Sequence, residues 1–213
     1  MPATDWIAHF ETLYARSADP WNLTTSDYEV RKYAATLEAL GGRRFTRGLE
    51  IGCAMGTLTL RLAPSCEEYL GIDLVEPPLI DARARCAHLA QARFERMAIP
   101  REWPRGRFDL IVMSEVLYFL PLADLDQLAA HCTASLDPGG TLLLVNWLGP
   151  NDGAMSGEAA AQGFLSALPP EWPCINNVMT PQYRIDVARA PGGQSRAPGR
   201  HVRYGPSSST PTA

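Results

Sequence analysis

The chain has 213 residues, 46% of them hydrophobic and 20% charged, with a formal net charge of −4. That length suits one globular domain with a substantial core and is short for two. The negative balance argues against a nucleic-acid surface, which needs clustered Lys and Arg to neutralise phosphates.

Cys53, Cys66, Cys86, Cys132 and Cys174 are odd in number and scattered, and none forms a CxxC. That pattern suits reduced thiols better than a disulfide framework or a zinc site. The start, MPATDWIAHFETLY, has early acidic residues and no apolar run, so no signal peptide is expected. The most apolar stretch, FDLIVMSEVLYFL, is short and carries Ser114 and Glu115, so it reads as a core strand and its exit, not a membrane span. A cytoplasmic location is the expectation.

Residues 5–16 place Trp6, Phe10, Leu13 and Tyr14 on one helical face, with Thr4 as the expected cap. A polar connector, DPWNLTTS, follows. Ser26 and Glu29 then stand at capping-box spacing ahead of Val30, Tyr33, Leu37 and Leu40, a second helical stripe that Gly41 and Gly42 end. From Arg47 onward, apolar runs alternate with helical stretches at 56–64, 77–90 and 122–136. GLEIGC, YLGIDLV, FERMAI, FDLIVMSEV and TLLLVNW read as strands, so the alternation predicts parallel βαβ units with a sheet covered on both faces. DPGG at 137–140 is expected to close a helix and start the next strand. A further helix is expected at 156–168, a weaker strand near 174–180 and a final strand at 183–190. The division is a helical cap over 1–42, an α/β domain over 43–190 and a Gly/Pro/Ser-rich tail over 191–213 without fixed structure.

The stretch LEIGCAMGTLTLRLA, residues 49–63, is a strand entering a glycine turn and a helix. It lacks the third glycine of a dinucleotide fingerprint and the lysine of a Walker loop. What it has is Glu50 two residues before Gly52, then Ala54 and Gly56. Small residues let a ligand approach the backbone closely, and a carboxylate there repels a pyrophosphate and welcomes an ammonium group. S-adenosylmethionine has a cationic amino-acid end and no phosphate, so it fits. Asp73, at the tip of the second strand, can accept hydrogen bonds from ribose hydroxyls.

With these residues in place the chain resembles the class I S-adenosylmethionine-dependent methyltransferases, and within them the NodS-type nodulation N-methyltransferases. The resemblance rests on DPW at 19–21, YE at 28–29, GLEIGCAMG at 48–56, FDLIVMSEVLYFL at 108–120 and LDPGG at 136–140. It implies a Rossmann-like, mostly parallel sheet whose last strand is antiparallel, flanked by helices, with two N-terminal lid helices. It also implies methylation of the free amine of the terminal glucosamine on a deacetylated chitooligosaccharide. Carried across by position, it gives cofactor contacts from Glu50, Gly52, Cys53, Ala54 and Gly56, with Asp73 on the ribose and Leu74 beside it. Many class I enzymes place an Asp at the end of the third strand near the adenine amino group. Here Met97, Ala98 and Ile99 occupy that place, leaving backbone groups at Ala98 and Ile99 for the purine.

Methyl transfer from a sulfonium is an in-line displacement, so catalysis is mostly alignment in a dry pocket. No metal is expected, because His9, His88, His131 and His201 fit no ligand spacing. An amine acceptor must lose a proton before it attacks. Glu115 is the candidate to take it, with Tyr118 orienting that carboxylate and Ser114 touching the cofactor. The plainer alternative makes Glu115 a salt-bridged carboxylate and Tyr118 a core residue. Arg31 is expected to pair with the cofactor carboxylate, while Trp21 and Tyr28 on the lid either face the cofactor or, as aromatic residues more often do, pack the helices down. Competing functions are an O-methyltransferase on another small metabolite and a cofactor-binding scaffold without catalysis.

Overall fold

The computed structural model describes residues 5–192. Helix α1 (Trp6–Arg16) is capped by Asp5, whose carboxylate accepts the Ala8 N–H at 3.2 Å. Thr4, the expected cap, lies outside the described residues, as does the tail from residue 193 onward.

Helix α2 (Asp27–Ala39) starts after Ser26, but the Ser26 side chain makes no capping bond. The other half of the expected box, Glu29, turns instead to Lys32, 2.9 Å away. The apolar stripe is also corrected. Val30 is 44% exposed, and the buried side runs through Glu29, Lys32, Tyr33, Thr36 and Leu40. Two charges can occupy an inward face because they are paired there. Leu40 ends the helix, and Gly41 and Gly42 take positive φ values of 62° and 69° beyond it, the turn geometry that glycine permits.

Seven strands form one sheet: β1 (Phe45–Ile51), β2 (Cys66–Asp73), β3 (Ala92–Arg96), β4 (Phe108–Ser114), β5 (Leu136–Trp147), β6 (Cys174–Met179) and β7 (Tyr183–Arg189). Their order is β3-β2-β1-β4-β5-β7-β6. β1 to β5 pair in parallel, and β7 runs antiparallel to both of its neighbours. This is the mostly parallel sheet with an antiparallel last strand expected from the resemblance. Helices α3 (Thr59–Leu62), α4 (Glu76–Arg85), α5 (Leu122–Ser135) and α6 (Gly157–Ala167) complete the α/β layers. In β4, Leu110, Ile111, Val112 and Met113 are all fully buried, as a strand covered on both faces requires.

Three boundaries depart from the sequence reading. The helix expected over 56–64 shrinks to α3 plus a 3-10 turn at Ala63–Ser65, because Pro64 has no N–H to continue the ladder. The DPGG segment lies inside β5 as a bulge, where pairing shifts from Phe108–Leu136 to Leu110–Thr141 and Gly139 takes φ 75°. β3 stops at Arg96, so Met97, Ala98 and Ile99 lie beyond the strand.

Register fixes where chemistry can occur. Ile51 of β1 is level with Ile72 of β2 and Met113 of β4. Gly52, Asp73 and Ser114 therefore emerge together at the carboxyl edge, beside the crevice where open α/β sheets bind ligands.

Candidate functional site

The backbone reverses sharply after β1. Gly52 N and Cys53 N both donate to Ile72 O, at 2.8 and 3.0 Å, which pins the turn to the tip of β2. Gly52, Ala54 and Gly56 have φ of 77°, 46° and 76°. A Cβ on Gly52 would lie 2.2 Å from Val116 Cγ2, so the turn tolerates no side chain there. Gly56 serves packing instead. A Cβ on it would meet the Ala82 backbone of α4 at 3.1 Å, and Gly56 does not line the cavity described below.

Asp73 completes the turn. Its two oxygens accept Ala54 N–H at 3.0 Å and Val75 N–H at 3.3 Å. Burial pushes its carboxyl up to about 6, against the pull of these amides. Glu50 is fully inside, accepting from the Thr59 hydroxyl and from Tyr69 OH at 3.2 Å. Burial raises its carboxyl to about 7, a height that an entering cation would reverse.

Over these groups lies a cavity of about 1070 Å³. That volume is at the upper end of small-molecule sites, which run roughly 300–1,000 Å³. Its floor includes Glu50, Gly52, Cys53, Ala54, Asp73 and Leu74, with Ala98, Ile99 and Ser114 further along the strand tips. Its roof is α1, which has no buried residue of its own and turns Trp6, Phe10, Leu13 and Tyr14 towards the opening. Trp6 and Phe10 meet Phe119 edge-on, with centroids at 5.1 and 5.0 Å, and Trp21 closes on Phe10 and Tyr14. Seven carboxylate residues line the cavity, among them Glu29, Glu50, Asp73 and Glu115, against Lys32 and Arg101. The space is electronegative, which favours cationic ligands.

Glu115 and Tyr118 come together as expected. Tyr118 OH donates to Glu115 Oε2 at 3.2 Å, and Trp147 N–H donates to the same oxygen at 2.7 Å. Glu115 itself has φ 61°, the left-handed region, fixed by its own N–H on Val145 O at 2.8 Å. The other oxygen, Oε1, is taken by Lys32 Nζ at 2.7 Å. Glu115 is thus salt-bridged, as the plainer reading held, while still facing the cavity.

Arg31 is exposed and does not line the cavity. One residue along α2, Lys32 takes the inward position, only 2% exposed and held between Glu29 and Glu115. Burial alone would lower its pKa, but the two carboxylates outweigh that and raise it, so Lys32 is an ammonium. Sequence reasoning missed it by taking Val30 for the inward stripe. Spacing from Tyr33 and Leu40 would have found it, since Glu29, Lys32 and Thr36 share their side.

One further group differs from expectation. The Ala98 N–H, reserved above for adenine, is occupied by the Glu102 carboxylate at 2.6 Å. Tyr28 packs edge-on against Trp147 and Tyr183, and its buried hydroxyl has no hydrogen-bond partner. Glu29 Oε2 and Thr57 Oγ1, both on cavity-lining residues, also lack partners. Such orphaned buried groups, with the glycine turn and Asp73, suit a polar cationic nucleoside. Away from this site, His131 stacks on Trp103 at 5.0 Å. No group of three or more metal-ligating side chains occurs among the described residues.

The family profile of nodulation protein S (NodS) matches residues 11–139. The chain belongs to the NodS family. It is 33% identical over 129 residues to nodulation protein S of Bradyrhizobium diazoefficiens, covering 59% of this chain and 61% of that protein. It is also 33% identical over 108 residues to the ubiquinone biosynthesis O-methyltransferase of Methylococcus capsulatus, covering 49% of this chain and 43% of that one. The crystal structure of the N-methyltransferase NodS from Bradyrhizobium japonicum WM9, in complex with S-adenosyl-L-homocysteine, superposes with a TM-score of 0.76. That superposition has 23% identity and covers 88% of this chain and 100% of the other. The fold is therefore that of S-adenosylmethionine-dependent methyltransferases. The matched region spans less than two thirds of the Bradyrhizobium diazoefficiens relative's length. Among the described residues no helix is long and apolar enough to cross a membrane.

Proposed function

We propose that the chain is an S-adenosylmethionine-dependent N-methyltransferase whose acceptor is a free amine on an amino sugar of the deacetylated chitooligosaccharide kind. The observation that carries this reading is the single electronegative cavity that joins the glycine turn and Asp73 at one end to Glu115 and Tyr118 at the other. The cofactor, when bound, supplies a methyl carbon activated by its sulfonium. Asp73 receives the ribose hydroxyls, and Leu74, Ala98 and Ile99 flank the base. Glu50, beneath the turn, balances the ligand's positive charge. Glu115 holds the incoming ammonium and takes its proton, so that the nitrogen lone pair is free. Tyr118 keeps the carboxylate aimed. The aromatic roof of Trp6 and Phe10 excludes water and offers flat apolar surface to a sugar ring.

Likeness to the N-methyltransferase NodS of Bradyrhizobium japonicum supports the amine, and likeness to the ubiquinone O-methyltransferase supports a hydroxyl acceptor as the second reading. The test is turnover of methyl-labelled cofactor with glucosamine oligomers, their N-acetylated counterparts and simple alcohols. Label on the free amine alone is the expected result. Label on alcohols would favour the second reading, and cofactor binding without any turnover would favour a scaffold.

A further inference from the structure

The two oxygens of Glu115 have different duties. Oε2 is anchored by Tyr118 OH at 3.2 Å and Trp147 N–H at 2.7 Å, while Oε1 meets only Lys32 Nζ at 2.7 Å. An oxygen that accepts from a buried ammonium is a weaker base, because the adjacent positive charge stabilises the carboxylate and disfavours its protonation. The carboxylate placed to work on the acceptor is therefore engaged with a competing cation in the ligand-free chain.

Lys32 also lies on the correct side for another anion. Asp73 is at the tip of β2 and the sheet order runs β3-β2-β1-β4, so a nucleoside with its ribose on Asp73 and its base by Ala98 and Ile99, beyond β3, would direct its amino-acid end the other way, towards β1 and β4. Glu115 follows β4 directly, and Lys32 is bonded to it. Of the other basic side chains lining the cavity, Arg101 follows β3 at the far edge of the sheet, and His9 is packed edge-on against Trp6 and Phe10. Lys32 also keeps Glu29 at 2.9 Å, so it remains seated when it changes its second partner.

We propose that Lys32 is a positioning residue that exchanges Glu115 for the carboxylate of the cofactor, so that seating the donor uncovers Glu115 Oε1 for the acceptor amine. This rests on the methyltransferase reading above. Charge balances through the exchange: one ammonium leaves one carboxylate and joins another, and Glu115, still fixed through Oε2, gains the place for an incoming ammonium. Donor bound first then gives the acceptor a carboxylate free of its competing cation, and an amine is held less tightly in a chain that has no methyl group to give.

The test is calorimetric, with S-adenosylhomocysteine and 5′-methylthioadenosine as probes, the second lacking the amino-acid end. Glu115→Gln removes the competitor for Lys32 while Lys32 and Glu29 stay paired. It is expected to bind S-adenosylhomocysteine at least threefold tighter than the native chain and methylthioadenosine within twofold. Lys32→Met is expected to weaken S-adenosylhomocysteine at least tenfold and methylthioadenosine less than twofold. Because Lys32→Met leaves the buried Glu29 and the half-buried Glu115 without their ammonium, the Glu115→Gln result decides if that variant does not fold. Unchanged or weaker S-adenosylhomocysteine binding in Glu115→Gln overturns the exchange, as does equal weakening of both probes by Lys32→Met. If the native chain bound neither probe, the methyltransferase reading would fall first.

Discussion

The Lys32 ammonium and the Glu115 carboxylate lie 2.7 Å apart, tying helix α2 to the tip of β4 across 83 residues of sequence. The pair sets a first expectation for catalysis. Glu115→Gln keeps the bonds from Tyr118 and Trp147 but removes the proton acceptor, so amine methylation should fall about 10²–10⁴-fold, the usual worth of a general base. Rates measured from pH 6 to 10 check this. Native rates throughout that range would remove Glu115 from the reaction.

Asp73→Asn should weaken S-adenosylhomocysteine binding roughly 10–100-fold. Hydrogen bonds to a charged acceptor contribute about 1.5–3 kcal/mol, and every 1.4 kcal/mol is tenfold. The amide oxygen can still accept from Ala54 or Val75, so the turn should hold. Calorimetry on a variant with a native melting temperature isolates the ribose contact, and undiminished affinity would refute it.

Gly52→Ala meets two obstacles, the 2.2 Å approach to Val116 Cγ2 and a backbone at φ 77°. Overpacking costs about 1–3 kcal/mol and the left-handed conformation roughly 1–2 more. The melting temperature should fall by about 4–20 °C, at 2–4 °C per kcal/mol for a chain of this size. A melt within a degree of native would show that the turn relaxes freely.

Glu50 gives a pH signature with a definite sign. Its carboxyl titrates near 7 in the folded chain and near 4.5 when unfolded, because burial favours the neutral form. The stability it contributes is complete below pH 4.5 and is lost as the pH rises to 7. Glu50→Gln has nothing to ionise there, so its unfolding free energy should gain on the native one between pH 5 and 8, by on the order of 2–3 kcal/mol, read as a rising difference in melting temperature. Asp73 has the same sign and is common to both proteins, so it cancels in the difference. Parallel melting curves across that range would mean that Glu50 ionises inside the fold as it does in water.

The sheet was legible because its signals are periodic and local. Apolar runs of strand length alternate with helical stretches, and each strand of the reading forms. The glycine turn with Asp73 was legible because close backbone approach restricts which residues can stand there. Helix α2 was misjudged at Val30 and Arg31, since its inward face holds a lysine and a glutamate that are acceptable only as a pair. Pairing depends on Glu115, far along the chain, which local periodicity does not register. Glu102 was missed for the same kind of reason. The tight turn that follows β3 brings its carboxylate back to Ala98 N–H, a contact set by loop geometry rather than by residue type.

Three of the five tryptophans, Trp6, Trp21 and Trp147, line the cavity over the glycine turn. Indole emission shifts with the polarity of its surroundings, so the unlabelled chain is equipped with its own optical probe. Arrival of a nucleoside beneath the roof changes the colour and brightness of that light, and stopped-flow mixing can order the arrivals of two ligands without a dye.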